Sequence, residues 1–208
     1  EAGLISWYEL KTLGTNNSDN VSQWIDSGGG DALSQDTSAN QPSYLASDGG
    51  VVLDGDNEHM VRPVKSLSDN FIIGAVIKLD EEIVNDCVFG GVTNTSNFIR
   101  FSSANQVGFK FSNTLATATI PIEIEAGTKF TFLVTRNSDD AIAIYIDGVN
   151  MNVSLTKAGT FKWDAIGMRN PLQNDFQGKF YEVQAYEQTV TAELISNINQ
   201  RLKEVRDA

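Results

Sequence analysis

The run at residues 142–149, Ile-Ala-Ile-Tyr-Ile-Asp-Gly-Val, constrains the fold more than any other stretch of this chain. Residues that can face a core alternate with residues that can face solvent, the period-2 pattern of a strand. The pattern stops at Asp147-Gly148, a dipeptide that accepts positive φ and closes tight hairpins. Just upstream, residues 129–136 (Lys-Phe-Thr-Phe-Leu-Val-Thr-Arg) predict a second strand, with Asn137-Ser138-Asp139-Asp140 as the polar turn between the two.

Further strands are predicted at 4–10, 21–26, 50–53, 71–79, 88–92, 98–102, 108–111, 118–124, 161–166 and 178–188, close to the spacing of a sandwich. Ser27-Gly28-Gly29-Gly30-Asp31 cannot hold regular structure and marks a tight loop, and 32–44 is polar loop with a short strand. One helix is clear, at about 191–206. Thr191 can cap it, Glu193 stands in the first turn where the helix dipole favours a carboxylate, and Leu194, Ile195, Ile198, Leu202 and Val205 share a face. That stripe is expected to pack on the sandwich edge or a sheet face, with a helix-mediated oligomer contact as the alternative. There is no internal repeat and no linker, so residues 1–208 are expected to form a single domain.

At 208 residues with 41% hydrophobic content the chain can bury a core without staples. The net charge of −12 disfavours nucleic acid, whose phosphates need a Lys/Arg cluster; Arg201, Lys203 and Arg206 are diluted by Glu204 and Asp207. The single cysteine, Cys87, excludes an intrachain disulfide and a multi-cysteine zinc site, and is expected as a small apolar core residue. No apolar run reaches the length of a membrane span. No signal peptide is visible and the first residue is not Met, as expected of a processed product or of a domain cut from something longer.

Three segments, in this order, resemble the laminin-G-like, concanavalin-A-like jelly rolls found in bacterial surface proteins and bacteriophage virion proteins. The first runs from Ile5-Ser6-Trp7-Tyr8 through Trp24-Ile25-Asp26-Ser27-Gly28 and Gln41-Pro42-Ser43-Tyr44 to Val51-Val52-Leu53-Asp54-Gly55. The second is the Ile-Tyr-Ile-Asp-Gly hairpin. The third is Gly178-Lys179-Phe180-Tyr181-Glu182-Val183-Gln184-Ala185-Tyr186, followed by Thr191-Ala192-Glu193. Gly29 stands where the family commonly has Asn, and Leu53 where it usually has Phe. The resemblance implies an all-β fold, an antiparallel β-sandwich (jelly roll) with one C-terminal α-helix. It transfers no ligand, because function sits in loops grafted onto the shared scaffold.

Candidate chemistry is sparse. The same sandwich hosts β-glucanases, whose strand carries three acids; here Glu123 and Glu125 would share one strand face and the third acid is missing. The only histidine, His59, lacks the Gln-x-His context of the alginate lyases and is expected at the surface or a strand edge, so no Ser-His-Asp or Cys-His set can be drawn. An enzyme is not expected. Calcium is the one cofactor the loops suggest, since Asp19, Asp26, Asp31, Asp54 and Asp56 supply the oxygens it prefers. Of the three tryptophans, Trp7 and Trp24 are expected in the core. Trp163 could be core or could stack a sugar ring. The loop 168–175 mixes a cation, amides and an acid, so Trp163, Arg169, Asn170, Asn174 and Asp175 are the candidate ligand contacts.

The first functional expectation is a non-enzymatic structural or adhesive module of a phage virion, such as a capsid decoration, spike or tail-fibre protein. It would bind a virion partner or a host-surface glycan, and would form a homo-oligomer. The alternative is a carbohydrate-binding module of a secreted bacterial protein. Either places the chain on a virion or outside the cell.

Overall fold

The computed structural model describes residues 2–13, 19–81, 83–93, 97–169 and 176–208. Among these, in chain order, the strands are β1 (Leu4–Glu9), β2 (Gln23–Trp24), β3 (Leu33–Ser34), β4 (Ser43–Leu45), β5 (Gly50–Asp54), β6 (Met60–Leu67), β7 (Phe71–Leu79), β8 (Asp86–Gly90), β9 (Phe98–Ser103), β10 (Gln106–Phe111), β11 (Thr114–Thr119), β12 (Lys129–Arg136), β13 (Ala141–Ile146), β14 (Val149–Asn150), β15 (Leu155–Thr156), β16 (Phe161–Ile166) and β17 (Gln177–Tyr186). The helix α1 (Ala192–Asp207) follows. All strand pairs are antiparallel. A nine-stranded sheet runs β14-β13-β12-β7-β17-β5-β4, with β1 added on β17 and β15 on β13. An eight-stranded sheet runs β11-β10-β9-β8-β16-β6-β3-β2.

The expected hairpin is present: Ile146 pairs with Val149 across Asp147 (φ 49) and Gly148 (φ 74), the two positive-φ positions of a type I′ turn. Asn137 closes the other turn by accepting the amides of Asp139 and Ala141, each at 3.0 Å. Between the sheets, Phe89, Phe101, Phe109, Phe132, Trp163 and Phe180 belong to one core cluster, filled by the inward alternation of both sheets.

β7 is buried on both faces because α1 lies across the outside of the larger sheet. Ile198 and Leu202 of the helix join Ile72, Val76, Leu133, Tyr181 and Tyr186 in a second cluster, so the helix stripe packs on a sheet face. Gly74 permits the close approach, since a Cβ there would stand 2.6 Å from Leu133 Cδ1 and 3.2 Å from Leu202 Cδ1. Thr191 Oγ1 accepts the Leu194 amide at 3.2 Å, as expected of the cap. Among the described residues, no helix is long and apolar enough to cross a membrane.

Two expectations need correction. The strand predicted at 118–124 is β11, four residues earlier, and Glu123 and Glu125 fall in the exposed loop after it. β6 was not expected at all, since Arg62, Pro63, Lys65 and Ser66 break the apolar pattern. It forms because Met60 and Leu67 enter the core while the buried Arg62 guanidinium stacks 4.7 Å over the Trp163 ring.

Candidate functional site

The outer face of the eight-stranded sheet carries the cluster best suited to a polar ligand. On β9, Ile99 and Phe101 point into the core, so Phe98 and Arg100 point outward. The Arg100 guanidinium lies 4.5 Å from the Phe98 ring centroid. Arg169, just past β16, brings its guanidinium to 5.4 Å from the same ring. Phe98 is thereby only 3% exposed, and the surface offered to solvent is made of half-buried arginine planes backed by an aromatic. Burial first, and the neighbouring charge of Arg169 second, lower the pKa of Arg100.

The floor beside this cluster is closely packed, and Gly108 within it is buried. Gly108 pairs with Arg100, and a Cβ on it would sit 2.9 Å from Ser102 Oγ, 3.5 Å from Phe98 Cε2 and 3.6 Å from Arg100 Cγ. Cys87, the other pairing neighbour of Arg100, is fully buried, in keeping with a small packing residue. The approach to Phe98 is pinned by Asp164, whose buried carboxylate accepts the amides of Val92 at 2.6 Å and Thr93 at 3.0 Å. Asn97 adds to this by accepting the Ser112 amide at 2.9 Å.

Of the five candidate ligand contacts, Arg169 is in this cluster, while Asn170, Asn174 and Asp175 lie outside the described residues. Trp163 is corrected to the core: it is 0% exposed, meets Phe89 edge-on at 6.2 Å and donates its indole N–H to the Ala165 carbonyl at 3.0 Å. No face of its ring is left for a sugar. Trp24 is core, as expected, whereas Trp7 is half-buried on the outside of the larger sheet, under the Lys11 and Arg201 side chains. Sequence reading missed Phe98 and Arg100. The usable signal was Phe-Ile-Arg-Phe in a predicted strand, where the period of two forces one aromatic outward beside the arginine.

The acids chosen for calcium serve turns. Asp26 Oδ1 accepts the amides of Trp7 at 2.9 Å and Gly28 at 2.7 Å. Asp54 Oδ1 accepts the Asp56 amide at 2.8 Å, and the Asp54 amide is held by Glu58 Oε2 at 2.7 Å. Burial, then the charges of Asp54 and Asp56, push Glu58 up to about 7. Asp19 contributes its carbonyl to the Tyr44 amide, and the Asp31 carbonyl accepts the Tyr8 hydroxyl at 2.6 Å. Among the described residues no group of three or more His, Cys, Asp or Glu side chains is placed to hold a metal ion, so the structure does not gather Asp19, Asp26, Asp54 and Asp56 into one. His59 is buried rather than superficial, with Nδ1 2.8 Å from the Asn57 carbonyl and Nε2 3.2 Å from the Gln35 amide.

A groove of about 590 Å³ also lies beside the end of α1, lined by Leu10, Asp48, Lys129, Tyr181 and Val205 among others. Its polar groups already satisfy one another. The Tyr181 hydroxyl donates to Asp48 at 3.2 Å, and Lys179 and Lys78 pair with the same carboxylate. Against the burial that would raise it, these lysines hold Asp48 below the usual carboxylate range.

The chain belongs to the laminin-G-like family of the concanavalin A-like lectin/glucanases superfamily, whose profile matches residues 54–196. No curated protein sequence matches it. Its fold is similar to Trypanosoma rangeli sialidase in complex with sialic acid (TM-score 0.64, 14% identity), covering 98% of this chain and 33% of that one. The chain therefore spans about a third of the sialidase's length. It is also similar to domain 4 of AbnA, a GH43 extracellular arabinanase from Geobacillus stearothermophilus in complex with arabinotriose (TM-score 0.61, 17% identity, covering 96% of this chain and 100% of that one). The CBM40 of a Ruminococcus gnavus IT-sialidase bound to α2,3-sialyllactose is similar over 72% of this chain and 95% of that one (TM-score 0.54, 13% identity).

Proposed function

We propose that this chain is a non-catalytic carbohydrate-binding domain, and that glycan contacts the outer face of the eight-stranded sheet at Phe98, Arg100 and Arg169. The observation behind this reading is the pair of half-buried guanidinium groups laid over one aromatic ring on the outer face of the sheet. Sugars present hydroxyl oxygens around a flat ring, and an arginine plane offers several N–H donors in a fixed fork with an apolar face of its own. Three structural neighbours carry sialic acid, arabinotriose and sialyllactose, which supports the ligand class. Glu123 and Glu125, exposed in a loop, have no role in it.

An extracellular or surface setting goes with this reading, since lectin-like folds are typical of such proteins. The narrower expectation, a phage virion component, rests on the sequence resemblance alone, and the carbohydrate reading is the one with structural neighbours behind it.

The test is retention on immobilised glycans, beginning with arabino-oligosaccharides and sialyllactose. Retention that is lost in Arg100→Ala and in Arg169→Ala, at unchanged melting temperature, is the expected result. Silence across neutral and acidic glycans would overturn the proposal, and so would binding that both variants keep.

A further inference from the structure

The two sheets end in very different ways. In the nine-stranded sheet β13 is capped by the two-residue strands β14 and β15. At its other end β4 has three residues, and Val21 and Tyr44 fasten the preceding segment to it through bonds to Pro42 and Asp19. The free side of β1 is closed by the Tyr8–Asp26 bridge and the Ser27 amide on the Trp7 carbonyl. In the eight-stranded sheet β2 has two residues. β6 meets β3 only at Val61, and the stretch beyond carries Pro63 and Lys65, which discourage pairing.

β11 has none of these protections. Its six residues, Thr-Leu-Ala-Thr-Ala-Thr, pair with β10 from Thr114 to Thr119 without a bulge. They include no charge, no proline and no glycine, and among the described residues no strand lies on the other side. Leu115 is 54% exposed. Such an edge is a template for another strand.

We propose that β11 pairs with β11 of a second copy of this chain, antiparallel about a two-fold axis through Thr117, joining the two eight-stranded sheets into one. The strand's own chemistry favours a copy over a foreign strand. A two-fold axis brings each side chain against its own kind or its mirror position, so a charge near the axis would meet a like charge. This edge is neutral in a chain of net charge −12. Alternation also fits. Val107 and Phe109, in the core, pair with Ala118 and Ala116, so Leu115, Thr117 and Thr119 face outward. About an axis at Thr117, Leu115 stands opposite Thr119 of the partner subunit and Ala116 opposite Ala118 of the partner subunit, each pair on one face. No side chain changes sides, which a one-residue slip would force.

The experiment is the solution mass of the full chain by light scattering, with two variants. The expected result is twice the 22.7 kDa chain mass, falling to one chain in Thr117→Lys, which sets two ammonium groups against each other at an exposed site. Thr117→Cys should become a covalent dimer on mild oxidation, because directly opposed antiparallel residues have Cα atoms about 4.5–5.5 Å apart, within disulfide reach. The buried Cys87 does not compete. A monomeric parent at every soluble concentration overturns the proposal. So does a dimer that Thr117→Lys leaves intact, or a Thr117→Cys dimer that resists cross-linking.

Discussion

The carboxylate of Glu182 accepts the indole N–H of Trp7 at 3.0 Å, tying the last strand of the larger sheet to the first. Gln184 donates to the same oxygen. Burial nonetheless dominates and pushes Glu182 up to about 7, with Glu9 adding to the rise and Arg201 opposing it. Between its ordinary value of 4.5 and about 7, the native state holds a proton that the unfolded chain has released. The contribution is therefore favourable at low pH and is lost as pH rises through that window. The parent should melt at a higher temperature at pH 5 than at pH 8, and Glu182→Gln should reduce the difference. Equal pH dependence in parent and variant would place the titration elsewhere, with Glu58 as the next group to replace.

Trp163→Ala should unfold the domain rather than touch its ligand. The ring is fully buried between Phe89 and Arg62, so the loss should be about 3–5 kcal/mol in urea denaturation, as for other large-to-small aromatic changes in cores. Trp163→Phe should recover part of it, with glycan retention intact.

Arg136 is a fully buried cation held by main-chain oxygens. Its Nε donates to the Asp69 carbonyl at 2.9 Å, and Nη1 donates to the carbonyls of Lys157, at 3.3 Å, and Gly159. Phe71 and Phe111 flank the guanidinium at 5.3 and 5.9 Å. Arg136→Ala strips those oxygens of their donor and opens a void, so we expect a cost of about 3–5 kcal/mol by chemical denaturation. Lys should rescue only part, having no planar fork.

Gly90→Ala should disturb the glycan face from beneath. An added Cβ would fall 1.9 Å from the Met168 carbonyl oxygen, one residue before Arg169, where β8 pairs with β16. The strand must shift, and retention on glycan should fall by more than the loss of folded protein. Gly127→Ala, with nothing within 4 Å but a φ of +79°, is the control and should cost about 1–2 kcal/mol with retention unchanged.

The sequence made most of the sandwich legible because its strands alternate strictly or, as in residues 71–79, are apolar but for one lysine. Residues 71–79 and 161–166 were found with their bounds intact. β6 was hidden because Arg62 occupies a core position, satisfied by Trp163 and Ser6, contacts that come from distant strands. β11 was misplaced because threonine and alanine give a weaker pattern than the Ile122-Glu-Ile-Glu125 alternation next to it. For the site, Arg169 was visible as a loop cation. Its companions Phe98 and Arg100 gain meaning only once β9 is set between β10 and β8, with the end of β16 next along the sheet. Trp163 is the opposite case: a period of two cannot say which face of a strand is the inside.

The position of β17 in the larger sheet has a consequence for synthesis. One of its edges takes β7 along its length, and the other takes β5 over residues 177–180 and β1 over 182–186. The early strands of this domain thus wait for a partner made near the domain's end. Until residues 177–186 have left the ribosome, β1, β5 and one edge of β7 lack the strand that joins them, and apolar β7 is open to neighbouring chains. Folding of this domain should therefore come late in its own synthesis, and its nascent chain should be a natural client for chaperones that shield unpaired strands.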